Sequence, residues 1–84
     1  MKSHTFRGLR YRIDISDLDG YCEIPGRDPR TLHLRASQTP LQFLEAAVHE
    51  AMHAEDPDVP ERVIERRGRS MARWLWRLGY RRGG

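Results

Sequence analysis

Apolar and polar residues alternate early in this chain. Over 9–15, Leu9, Tyr11, Ile13 and Ile15 fall on one side of an extended backbone and Arg10, Arg12 and Asp14 on the other. That is the period of a half-buried strand. The pattern returns at 31–35, where Leu32 and Leu34 alternate with Thr31, His33 and Arg35. Between them, DLDGYCEIPGRDP is dense in the Asp, Gly and Pro that mark turns, with room for a short extra strand at 21–23. A small antiparallel sheet or hairpin is therefore expected.

The period then becomes helical. Thr39 is placed to cap a helix and Pro40 suits its first position. Leu41, Leu44, Val48, Ala51 and Met52 follow at helical spacing. DPDVP at 56–60 stops this helix, and a second begins around Pro60, with Asp58 or Val59 near its cap. Val63, Ile64, Met71, Trp74, Leu75 and Leu78 form its apolar stripe. Gly79 stands where helices commonly end. Gly68 is an internal weak point, costing about 1 kcal/mol relative to alanine. The order strand, strand, helix, helix predicts an α+β fold: a small antiparallel sheet or hairpin followed by two packed helices.

Composition narrows the picture. At 84 residues the chain is expected to form one domain, 1–84, around one small core. A bound metal would help such a domain, because ligand binding adds to folding free energy. Cys22 is the only cysteine, so no internal disulfide forms and a reducing compartment is the simplest expectation. No stretch is apolar enough for a signal peptide or a membrane span, so a cytoplasmic protein with no membrane partner is expected. The net charge of +3 is unevenly placed: Arg62, Arg66, Arg67, Arg69, Arg73, Arg77, Arg81 and Arg82 gather in the last third. Such a face suits phosphate contact, or simply a solvated helix whose arginine stems cover apolar surface.

The candidate chemistry lies in AAVHEAMHAEDP at 46–57. His49 and His53 stand four apart and so share one helical face, one turn from each other. Both can point an imidazole at one ion. Glu50 lies further round the wheel, placed to hold a water rather than join the ligands. This is the logic of H-E-x-x-H: two neutral nitrogen ligands and a carboxylate that takes a proton from water activated by zinc. Ala46, Ala47, Ala51 and Ala54 surround the motif and permit close approach of another element. A third ligand must come from after the turn. If DPDVP reverses the chain, the level of His53 faces residue 61 or 62 and that of His49 faces 65 or 66. Glu61, bordering the apolar stripe, is the preferred ligand. Glu65, one turn on, is the alternative, or a hydrogen-bond partner for the far nitrogen of His49.

AAVHEAMHAEDPDVPERVIERRGRSMARWLWRLGY resembles the small phage and bacterial zincin-like proteins. Their chains read H-E-A-L-H-A, a short acidic turn, then a helix ending in W-R-L-G-Y or W-R-L-G-W. GYCEIP and TLHLRAS are similar to their G-x-C-x-x-P turn and short strand. More loosely, ERVIE at 61–65 is similar to the E-x-x-x-D/E of gluzincins, whose third ligand is a helical glutamate. The resemblance implies a minimal zincin-like core binding one zinc ion and a metallopeptidase acting on a peptide or protein substrate. It also implies that Thr31, Leu32, His33, Leu34 and Arg35 form the sheet edge that pairs with extended substrate. The chain departs from larger gluzincins in having no substrate-binding domain and only seven residues between His53 and Glu61. His33 is expected as a surface residue, Cys22 as a buried turn residue, and Tyr80 far from the metal. The competing reading is a non-enzymatic, zinc-stabilised module that contacts nucleic acid or an acidic partner through its arginine-rich helix.

Overall fold

The computed structural model describes residues 2–17 and 30–81. Five elements follow one another: β1 (Lys2–Phe6), β2 (Leu9–Ser16), β3 (Thr31–Arg35), α1 (Pro40–Glu55) and α2 (Glu61–Arg77). A three-stranded sheet therefore precedes two packed helices, the α+β arrangement expected. No helix among the described residues is long and apolar enough to cross a membrane.

The sheet order is β1-β2-β3. The hairpin is present, but β2 makes it with β1, pairing Lys2 with Ile13 through Phe6 with Leu9 in antiparallel register. Arg7 and Gly8 form its tip with φ of 51° and 75°. Two successive left-handed residues are what a tight hairpin turn requires, because its twist then matches that of the strands. The Arg7 side chain donates from Nε to the Ala54 carbonyl at 3.1 Å. It thereby satisfies one of the end carbonyls of α1 and ties the hairpin to that helix.

β2 and β3, by contrast, run parallel, with Ile13 beside Leu32, Asp14 beside His33 and Ile15 beside Leu34. This corrects the antiparallel pairing expected for these two strands. The residues from 17 to 30 are enough for the crossover that a parallel pair needs. The expected strand at 21–23 lies outside the described residues. The pleat puts Leu32 and Leu34 on the buried face and His33 on the other, where its Nδ1 meets the Asp14 carboxylate at 3.0 Å.

α1 starts as its sequence indicates. Thr39 Oγ1 accepts from the Gln42 backbone N–H, and Gln42 Oε1 accepts from the Thr39 N–H, closing a reciprocal capping box. α2 begins at Glu61 behind Pro60 with no side-chain cap, so neither Asp58 nor Val59 takes that role. It ends as expected at Gly79. With φ 98° this residue donates its N–H to Trp76 while Tyr80 donates to Leu75, a Schellman closure.

The two helices pack antiparallel. Glu61 meets His53 and His49, a Cβ at Gly68 would touch the His49 backbone, and Arg73 reaches Glu45. Small residues make the approach close. The buried positions of α2 are Ile64, Gly68 and Ala72, spaced by four, and Ala54 is the buried residue of α1. Among the described residues Leu32 and Leu34 are the other buried apolar side chains, with Ala72 and Ile64 of α2 and Ala54 of α1. Much of the stripe expected on α2 is outside this core: Met71, Trp74 and Leu78 are about half exposed. Gly68, expected as an internal weak point, lies within α2, and it is also the place where α2 comes down on α1.

Candidate metal centre

The α1–α2 contact brings three side chains from two helices to one point. His49 and His53 present their Nε2 atoms to each other at 3.1 Å. Glu61 spans both, with Oε1 at 2.9 Å from His49 Nε2 and Oε2 at 2.5 Å from His53 Nε2. These are the described His, Cys, Asp or Glu side chains whose ligating atoms converge closely enough to hold an ion. The histidines are about 70% covered while the Glu61 side chain is 63% exposed, so the cluster lies at the surface of the helix pair and is reachable from solvent.

Each helix contributes from a suitable address. His49 and His53 are one turn apart on α1, which aligns their rings. Glu61 is in the first turn of α2, and His53 in the last turn of α1. The dipoles favour an acid at the first place and a base at the second. The short turn between the helices then sets the two end to end.

The donor set fits zinc. Zinc takes imidazole nitrogen and carboxylate oxygen at about 2.0–2.1 Å, so tetrahedral geometry places ligand atoms about 3.3 Å apart. The observed spacings of 3.1, 2.9 and 2.5 Å are shorter than this by about 0.2 to 0.8 Å, so the side chains, Glu61 and His53 above all, would have to open to admit an ion. Were an ion held by these three residues alone, a tetrahedral site would keep one position for water or substrate.

An open groove of about 630 Å³ borders the cluster. Glu50 lines it beside His49 and Glu61, half-buried and outside the converging set. Glu65 lines it too, but its carboxylate takes Arg69 at 3.3 Å. The reason is the helix register. The His49 backbone faces Gly68 rather than residue 65 or 66, and Glu65 lies about 40° further round α2 than Glu61.

Among the described residues β3 is an edge strand, bonded on one side to β2. Of Thr31, Leu32, His33, Leu34 and Arg35, only Arg35 lines the groove. His33 is engaged with Asp14. Tyr80, beyond the far end of α2, is some 25 Å along the helix axis from Glu61. Cys22 lies outside the described residues.

Sequence reasoning passed over Gln42 and Glu45, which line the groove with His49. The signal was present: Gln42, Glu45 and His49 recur at helical spacing on one face of α1. It also passed over Ser37, whose backbone N–H donates to Asp17 Oδ1 at 2.6 Å. Hydrogen bonding to Ser37 holds the Asp17 carboxyl below its ordinary value and fastens the start of the β3–α1 connection at the groove's rim.

No family model matches the chain, and neither does any curated protein or solved structure.

Proposed function

We propose that this domain is a zinc-dependent, peptidase-like hydrolase. In it His49, His53 and Glu61 hold one zinc ion and Glu50 is the general base. The observation that carries the reading is the convergence of two imidazole nitrogens and one carboxylate, from separate helices, beside a groove that a further glutamate lines. Zinc, when bound, supplies a Lewis acid and lowers the pKa of a water.

The chain's own residues supply the rest. Glu50 follows His49 on α1 and so turns away from the ligand axis towards the groove. Its carboxylate accepts a proton from the attacking water and returns it to the leaving amine nitrogen. The sheet contributes main-chain donors and acceptors along the outer edge of β3. An extended peptide paired there runs towards Arg35, where the groove begins. The substrate class is therefore an extended peptide or an unfolded protein segment.

The test compares wild type with Glu50→Gln, both loaded with zinc, against a panel of extended peptides and unfolded proteins. Gln keeps the shape and hydrogen-bonding reach of Glu50 but accepts no proton. Wild type is expected to cleave, and the variant to be slower by about 10²- to 10⁴-fold at unchanged zinc content. Equal cleavage by both proteins would refute Glu50 as the base, and no cleavage by wild type would refute the hydrolase.

A further inference from the structure

Away from the metal cluster, Arg62, Arg66, Arg69 and Arg73 recur along α2 at intervals of four, three and four. At about 100° per residue they fall within an arc of about 60°, and Arg77 extends the row to a length of about 22 Å. All five are exposed. The first four line a shallow depression of about 430 Å³ with Glu65 and Ser70. Among the described residues, Arg62, Arg66 and Arg77 have no ion-pair partner. Arg69 and Arg73 are held loosely, by Glu65 at 3.3 Å and Glu45 at 3.7 Å. Exposed pairs of this kind contribute little, so both guanidiniums can change partner at small cost.

We propose that this arginine row docks α2 on the phosphate backbone of duplex DNA. Charge complementarity selects a polyanion, and the shape of the row selects the duplex. A rigid helix fixes its guanidiniums in a straight line, which suits a regular array of phosphates. The B-DNA major groove is wide enough to admit an α-helix, whereas that of duplex RNA is too narrow. Single strands are gripped through exposed aromatic faces on which bases stack, and this row has none. The Trp76 ring is covered by the Arg81 guanidinium at 3.3 Å, and Trp74 belongs to the apolar flank with Met71 and Leu78. That flank is centred about 140° round the helix from the four-arginine arc. A lipid surface therefore cannot take the row and the flank together. An acidic protein would need an apolar anchor within the contact, and between these arginines only Ser70 and Glu65 intervene. No base contact is implied, so binding is independent of sequence.

The test is fluorescence anisotropy of the full chain with a labelled DNA duplex of about 20 base pairs, two helical turns. Parallel arms use the single strand, an RNA duplex of the same length, and phosphatidylserine-containing vesicles. Duplex DNA is expected to bind most tightly. A plot of log affinity against log salt should have a slope of about −4.5, as five phosphate contacts predict. The triple variant Arg62→Gln, Arg66→Gln, Arg73→Gln should reduce that slope to between about −1 and −2 and weaken binding at low salt. Arg10→Gln, on the sheet, should leave both unchanged. Zinc content and helical circular dichroism report whether the triple variant is folded. If it is not, Arg66→Gln alone should still reduce the slope by about 1. Three results overturn the proposal: no duplex binding at low salt, a slope that ignores these substitutions, or tighter binding to the single strand, the RNA duplex or the vesicles.

Discussion

Glu61 stands in the first turn of α2, where a carboxylate is welcome even without a metal. Its two oxygens nevertheless divide between two histidines, a geometry that a solvated surface glutamate does not need. Isothermal titration with zinc should therefore rank two neighbouring substitutions clearly. Glu61→Gln would remove a proposed ligand and is expected to weaken zinc binding by more than about 100-fold. Glu65→Gln, touching the ion at most indirectly, should stay within about tenfold. The reverse ranking would mean that Glu65 leaves Arg69 to take the metal. At the rim, Asp17 makes a separate, pH-dependent contribution. Its folded-state pKa is depressed by the bonds to Ser37, so it stabilises the fold above the ordinary Asp value of about 3.9 and loses that contribution as pH falls through the folded value. Thermal melts of wild type and Asp17→Asn across acid pH should converge at the low end. Parallel curves would show that the bond contributes nothing.

Between α1 and α2 the critical element feature is Gly68. A Cβ there would meet the His49 backbone at 3.5 and 3.6 Å and Met52 Sδ at 3.6 Å, all ordinary contacts. Gly68→Ala should therefore fit, and the better helix former should stabilise the domain by up to about 1 kcal/mol. Gly68→Leu has no such room. It should separate the helices, part Glu61 from the histidines, and lower both melting temperature and zinc affinity. If Leu were as well tolerated as Ala, the helices would not be in close contact at this point. The same scale shows what the chain announces and what it conceals. Thr39, Pro40 and Gly79 declared their helix ends because capping is local chemistry, written in one or two residues. β1 did not declare itself, since Lys2, Ser3, His4 and Thr5 are exposed and leave no alternation to read. The parallel pairing of β2 with β3 was equally hidden. Strand direction depends on the path between strands, and DLDGYCEIPGRDP offers only turn signals. The stripe on α2 was overdrawn because periodicity marks a face without saying how much of it a small partner can cover. For the cluster, the i, i+4 histidines were legible from spacing alone, and the side of α2 facing them was enough to favour Glu61. The groove's other walls, from Ser37 to Arg69, come together only in three dimensions.

For the molecule as a whole, the question is what holds two helices and a three-stranded sheet together. Among the described residues the buried apolar ones are Leu32, Leu34, Ala54, Ile64 and Ala72, and of these only Ile64 is a large side chain with essentially no exposure. Ile64→Ala should therefore cost about 2–5 kcal/mol, at the heavy end for so small a core, and chemical denaturation would measure it. A core of this size leaves little margin over the conformational entropy lost on folding. A metal bridging α1 to α2, as proposed, would add to that margin directly, because an ion held by the assembled cluster would have no equivalent site in the unfolded chain. At free zinc about 100 times Kd the gain is about 2.7 kcal/mol. For a domain of this length that corresponds to a rise in melting temperature of about 10–20 °C. Calcium and magnesium prefer oxygen ligands and should give no comparable shift with two imidazoles in the set. His49→Ala should abolish the zinc-dependent rise, and melts with and without chelator would then superimpose. A wild-type chain that melts at the same temperature in zinc and in chelator would remove the metal from the fold, and with it the hydrolase built on that metal. The arginine row, which needs no ion, would remain to be judged by its own salt dependence.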